Sequence, residues 1–171
     1  MLMIQYSRLF QLARPYINTD SKIEVKRGER FTCSYDIFED TFTITVSDDQ
    51  FANTCDDARF IIDHCKEVHG LKEGYDMTKD FIKCFALMHE LAHINGYFED
   101  NRKEYEALQD INNNYERKKE YRMLDREYKA DAIATQIINE NILAIWCILN
   151  PDRSKEENKQ ELEFWSCGLF N

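Results

Sequence analysis

The sequence predicts an α+β domain that is mostly helical, with a small antiparallel three-stranded sheet near its N-terminus. Three observations lead to this fold class. Apolar and polar residues alternate between positions 22 and 46, as in strands, and from residue 51 onwards apolar residues recur at helical spacing. The chain has 171 residues, 43% hydrophobic, with five glycines and two prolines. It is therefore long enough for one domain with a sizeable core.

Each element has its own signal. The first helix ends before Pro15, and Gly28 and the Glu39-Asp40 pair mark the turns between the strands. Gly70 is placed to end the helix that follows the sheet. The predicted helices cover residues 7–13, 51–68, 78–95, 99–120 and 122–149, and the three strands lie between residues 22 and 46. Residues 1–150 are predicted to form the main domain and residues 151–171 a helical C-terminal appendage.

The helix over residues 78–95 reads TKDFIKCFALMHELAHIN and has almost no polar face, which predicts burial on most sides. Within it, His89 and His93 are four residues apart and therefore lie on one face, where both imidazoles reach a single ion. Glu90 lies about 100° further around the helix, where its carboxylate can take a proton from a water activated by the metal. This HExxH pattern predicts a zinc site with Glu90 as general base.

A catalytic zinc ion usually has three protein ligands and one open position. The best candidate for the third ligand is Glu127, and Asp131 lies four residues further on. One carboxylate can meet the metal while the other accepts the free ring N–H of a ligating histidine. Ala130 and Ala134 are small enough to let the two helices approach closely.

With these residues in place, the chain resembles the gluzincin zinc peptidases. HELAH followed by EYKADAIA is similar to the minigluzincins and the ImmA/IrrE-type peptidases and, more distantly, to the Ste24/Oma-like membrane peptidases. The resemblance covers residues 81–134 and implies a zincin-like fold in which Glu127 is the third zinc ligand and Asp131 supports a histidine. It also implies that an edge strand of the sheet binds an extended peptide, and Thr41–Ser47 is the strand expected to do so.

Other assignments remain open at this point. HELAHINGYFE also imitates the metzincin frame, which makes Glu99 a rival third ligand. The residue that stabilises the oxyanion is not identified by spacing; the candidates are Tyr97, Tyr121, Tyr128, Arg122 and Arg126.

The predicted function is a zinc-dependent endopeptidase that acts on a protein or peptide substrate. The alternative is a catalytically silent protein of the same fold that captures an extended segment. A purely structural zinc is less favoured, because structural sites usually close all four positions and often use thiolates.

The net charge of −10 argues against nucleic acid and anionic membranes as ligands. The longest apolar run, residues 142–149, is too short to span a bilayer, and no export signal or CxxC pair is present, so we expect a cytoplasmic protein with reduced cysteines. The sequence does not predict the oligomeric state. The apolar end of the tail is expected either to pack on the core or to cover the cleft; it contains Phe164, Trp165, Leu169 and Phe170.

Overall fold

The structure is a computed structural model that describes residues 5–49, 55–72, 78–99, 103, 106 and 108–167. It confirms the α+β class, with a three-stranded sheet near the N-terminus and a helical remainder. The strands of the described part are β1 (Lys22–Arg27), β2 (Thr32–Asp36) and β3 (Thr41–Val46), and the helices are α1 (Tyr6–Ala13), α2 (Cys55–His69), α3 (Lys79–Ala92), α4 (Asn114–Met123), α5 (Asp125–Leu149) and α6 (Lys155–Cys167).

The sheet is mixed, so the prediction of an antiparallel sheet is wrong for β1. The strand order is β1-β3-β2, with β2 antiparallel and β1 parallel to β3. The reason is hydrophobicity: Phe42, Ile44 and Val46 of β3 are buried, whereas β1 and β2 are largely polar, so β3 gains most from the central place. The chain leaves β1 across the end of β3, where Gly28 lies so close to Thr45 that a Cβ at this position would collide with Thr45 Cγ2.

This order also corrects the predicted substrate strand. Thr41–Ser47 was expected at an edge, but β3 is hydrogen-bonded on both sides and has no backbone groups free for a peptide. The edges of the sheet are β1 and β2.

Helix α3 passes through the middle of the molecule and packs against α1, α5 and the sheet. Thr78 caps its N-terminus, because Thr78 Oγ1 accepts a hydrogen bond from the backbone N–H of Phe81 at 3.2 Å. The side chains of Phe81, Leu87 and Leu91 have no solvent exposure. Burial on nearly all sides, as predicted, fixes the position of the HELAH segment.

The polar region after α3 does not form the single helix predicted for residues 99–120. In its described part, a 3₁₀ turn (Leu108–Asp110) is followed by α4, which Asn113 caps with its side chain. The predicted helix from Arg122 also begins later, because Leu124 has an extended ψ of 137° and breaks the chain between α4 and α5.

Helix α5 packs on α3. Its small side chains Ala130 and Ala134, and Ile137 and Ile138 after them, are all buried. Its length and composition would allow it to cross a membrane, a test that the core helix of a soluble protein also passes. Its backbone kinks at Asn141, where φ is −119° and ψ is 16°.

The appendage begins with α6, which packs against the C-terminal half of α5. Asn158 is its anchor: the residue is fully buried, and its amide donates to the carbonyl of Ser154 at 3.1 Å and contacts Cys147 Sγ. Cys147 is 20 residues along α5 from Glu127, or about 30 Å of helix. The side chains from Phe164 onwards lie outside the described residues, so closure of the cleft by the tail stays a prediction.

Candidate metal centre

The three predicted ligands meet in the interior. His89 and His93 lie one turn apart at the end of α3, and Glu127 lies in the first turn of α5. Nε2 of His89 is 2.9 Å from Nε2 of His93 and 3.3 Å from Oε2 of Glu127, and Nε2 of His93 is 3.6 Å from Oε1 of Glu127. The three residues are only 8%, 6% and 3% exposed.

These separations fit a metal ion. In a tetrahedral zinc site with bonds of about 2.0–2.1 Å, neighbouring ligand atoms lie about 3.3–3.4 Å apart. Both carboxylate–imidazole distances are close to this value, and the two imidazole nitrogens are slightly nearer to each other. Two nitrogens and one carboxylate are also the donor types that zinc accepts. The buried cluster therefore has the composition and the size of a metal site.

Asp131 fixes the orientation of the first histidine, in the place predicted for it. Its Oδ1 lies 2.9 Å from Nδ1 of His89, so a proton on Nδ1 is shared with the carboxylate and Nε2 is left to face the metal position. Asp131 is fully buried.

Arg122 holds both carboxylates, a role that the sequence did not indicate. Its Nε donates to Oδ2 of Asp131 at 2.9 Å, Nη2 donates to Oδ1 of the same residue, and Nη1 donates to Oε2 of Glu127 at 3.4 Å. The guanidinium is buried and compensates the negative charge that these carboxylates bring into the core. The only indication of this role in the sequence is an arginine five residues before Glu127.

In the metal-free cluster, a proton on His89 provides the positive charge that a bound metal ion would supply. Burial disfavours the charge on His89, but its hydrogen bonds to Asp131 and Glu127 outweigh this and raise its pKa to about 9. Burial and the neighbouring His89 charge lower the pKa of His93 to about 3. For Glu127, burial acts in the opposite direction, and the hydrogen bond from His89 still lowers the pKa to about 2.

Glu90 is a residue of α3, and its carboxylate reaches the edge strand β2. Its carboxylate accepts a hydrogen bond from the backbone N–H of Cys33, and burial is the main reason that its pKa is raised. The same N–H therefore points away from β3, towards the free edge of β2. Outside this edge the described residues contain no further strand. The predicted general base is thus placed beside both the metal ligands and an unpaired strand edge.

Two of the candidates for stabilising the oxyanion lie beside this edge: Tyr97, whose ring centre is 6.1 Å from that of Tyr35 on β2, and the charged Arg126. Nε of Arg126 donates to Nδ1 of His93 at 3.3 Å, and its guanidinium lies 5.4 Å from the ring centre of Tyr97. Its charge also acts on Glu90 and on the thiol of Cys33. A metal on Nε2 of His93 leaves the proton on Nδ1, so metal binding is expected to release Arg126 from this nitrogen.

Tyr128 and Arg122 have other contacts. The ring of Tyr128 lies 4.5 Å from that of His69, and Arg122 is committed to the two carboxylates. Glu99, the rival third ligand, is not brought to the histidines. Its half-exposed carboxylate pairs with Lys129 at 3.1 Å on the rim of a cavity of about 240 Å³.

No protein-family model, curated protein or solved structure matches the chain.

Proposed function

We propose that the protein is a zinc-dependent peptidase of the gluzincin type, close in its motifs to the minigluzincins and the ImmA/IrrE-type peptidases. The observation that supports this best is the buried triangle of His89, His93 and Glu127, with Glu90 beside it and not part of it. A site that leaves one metal position to solvent or substrate is catalytic rather than structural in character.

Zinc, when bound, would polarise the carbonyl of the peptide bond and acidify a water molecule. The chain supplies the remaining chemistry. Glu90 accepts a proton from the attacking water on its carboxylate and returns it to the leaving amine, a task helped by the raised pKa that burial gives it. Arg126 supplies positive charge beside the cleft and is proposed to stabilise the oxyanion.

The substrate is proposed to bind as an added strand along β2. Cys33 directs its backbone N–H away from β3, and residues two apart along a strand present their backbone groups on the same side. Tyr35 therefore offers the next outward pair of backbone groups. An extended peptide paired there would run past Glu90 and the metal ligands.

One observation favours the alternative, a silent protein that captures an extended segment without cleaving it. The carboxylate of Glu90 already accepts a hydrogen bond from the N–H of Cys33. If a bound peptide does not free Glu90, the same cleft binds and does not cleave.

Metal content and turnover distinguish the two functions. Protein purified without added metal would be assayed by elemental mass spectrometry, and its cleavage of denatured casein and of a quenched-fluorescent peptide library would be measured. We expect about one zinc per chain in the wild type and in Glu90→Gln, with turnover lost only in the latter. Glu127→Ala should lose the metal, and the matched control Glu99→Ala should keep both.

Two other outcomes would contradict the proposal that the protein is a peptidase. A wild type that takes up no zinc on titration would rule out the peptidase. Stoichiometric zinc without cleavage, together with peptide binding that Glu90→Gln leaves unchanged, would establish the silent alternative.

A further inference from the structure

The two remaining histidines of the chain meet on the other side of Asp131. His64 and His69 lie in the last part of α2, and each offers a ring nitrogen that is within 4.8 Å of the other and of a carboxylate oxygen of Asp131. His64 is 7% exposed, Asp131 is fully buried, and His69 is half-buried, so solvent reaches the cluster from its side. Neither histidine takes part in the proposed peptidase chemistry.

The cluster is incomplete in its hydrogen bonding. Nε2 of His64 and Nε2 of His69 are both shielded from solvent and have no hydrogen-bond partner. Unpaired buried polar groups are costly. A metal ion that accepts the lone pairs of both nitrogens would therefore stabilise this part of the fold.

We propose that His64, His69 and Asp131 form a second binding site for Zn²⁺. Two imidazole nitrogens and a carboxylate oxygen are ligands that this ion prefers. The position also favours a cation, because His69 is the last residue of α2 and the backbone carbonyls at a helix C-terminus carry partial negative charge.

The second site is weaker than the first. Arg122 donates to both oxygens of Asp131, and His89 shares one of them, so a second ion competes for a carboxylate that is already paired. The positive charge of Arg122 also acts on His64 and His69. At the first site, by contrast, Glu127 contributes a carboxylate that directly faces both imidazoles. We therefore expect zinc to fill the two sites in sequence.

Equilibrium dialysis of the full-length chain against a graded series of buffered free Zn²⁺ concentrations tests this proposal, with bound zinc measured by elemental mass spectrometry. The wild type should bind a first equivalent tightly and a second more weakly. His64→Gln/His69→Gln should lose only the second, and Glu127→Ala only the first. Glu67→Gln, on the same helix, should match the wild type.

Saturation of the wild type at one equivalent would overturn the proposal, as would two equivalents in the double histidine variant. Because Glu127→Ala removes the first site alone, a failure of the proposed peptidase site and a failure of the second site give different results. Circular dichroism and thermal unfolding of each variant would show whether it is folded before its stoichiometry is compared.

A spectroscopic measurement identifies the ligands of the second equivalent. In ¹⁵N-labelled protein, the imidazole nitrogen resonances of His64 and His69 should shift only when the second equivalent is added. With Co²⁺ as the probe, the second site should lack the intense near-ultraviolet absorption of thiolate ligation. Thiolate absorption, or unshifted resonances of both histidines, would assign the ion elsewhere and contradict the proposal.

Discussion

Arg122 places a full positive charge in the core between Asp131 and Glu127. Removing one partner from a buried ion pair leaves the other charge unpaired, which typically costs about 3–5 kcal/mol. We expect Arg122→Met to lower the free energy of unfolding of the metal-free protein by about this amount, measured by urea denaturation. The exposed Arg8, which contacts only the side chain of Gln5 among the described hydrogen bonds, is the control. Arg8→Met should change stability by less than about 0.5 kcal/mol, and equal losses in both variants would contradict a buried role for Arg122.

The proton on His89 makes metal binding depend on pH. Asp131 and Glu127 raise the pKa of His89 to about 9, so below this pH the ring is protonated and must lose its proton before it can ligate. His93, with a pKa of about 3, and Glu127, with a pKa of about 2, are already deprotonated at neutral pH. Zinc binding to the first site should therefore release about one proton at pH 7, and its affinity should fall roughly tenfold for each pH unit below 9.

Calorimetric titration in two buffers of different ionisation enthalpy measures this release. For one released proton, the observed enthalpy of the first equivalent should differ between the two buffers by about the difference between their ionisation enthalpies. Release of no proton would mean that the metal-free His89 is neutral.

The sequence predicted those site residues whose relative positions follow from helical geometry. His89 and His93 share a face because they are one turn apart, and the same argument relates Glu127 to Asp131. The contact of Arg122 with these carboxylates was not accessible, because it depends on a chain break at Leu124 that has no proline or glycine to mark it. The pairing of His64 with His69 around Asp131 depends on how α2 packs against α5, which no local pattern encodes.

At the scale of elements, the edge strand β2 is proposed to take the substrate-binding role first expected of β3. Tyr35→Pro removes the outward N–H that a peptide would use, and Tyr35→Ala keeps it while losing the same aromatic ring. We expect the proline variant to show a kcat/KM about tenfold below that of the alanine variant, as for the loss of about one hydrogen bond of 1–1.5 kcal/mol. Peptide cleavage kinetics measure the difference. Equal values in the two variants would argue against strand addition at β2.

The strands were located correctly from their alternation, but their order was not. Neighbouring strands in a sequence usually pair, which is why an antiparallel sheet was expected. Burial decided otherwise, because β3 has the most apolar face and takes the centre, where the order β1-β3-β2 covers it from both sides. Helix α3 could be predicted almost to its ends, since its apolar positions leave no solvent-facing side and Thr78 supplies its cap.

At the scale of the molecule, the cluster of His89, His93 and Glu127 links α3 to α5, the two helices at the centre of the fold. A ligand that binds only the folded state stabilises it by about 2.7 kcal/mol at a hundred times its Kd. For a chain of this size we expect zinc at that concentration to raise Tm by roughly 5–10 °C. Differential scanning calorimetry measures the shift. In Glu127→Ala, which lacks the tight site, a shift as large as in the wild type would show that the ion stabilises the protein from another position.

The break at Leu124 has a consequence for how the site assembles. Arg122 and Asp131 are nine residues apart, whereas His89 and Asp131 are separated by 42. Closing the shorter loop costs about 1.4 kcal/mol less in chain entropy. The acidic half of the centre is therefore the part that a folding chain can form locally, and the histidines join it only when α3 docks. During refolding, the contacts of Arg122 with the two carboxylates should therefore form before the protein is able to bind zinc.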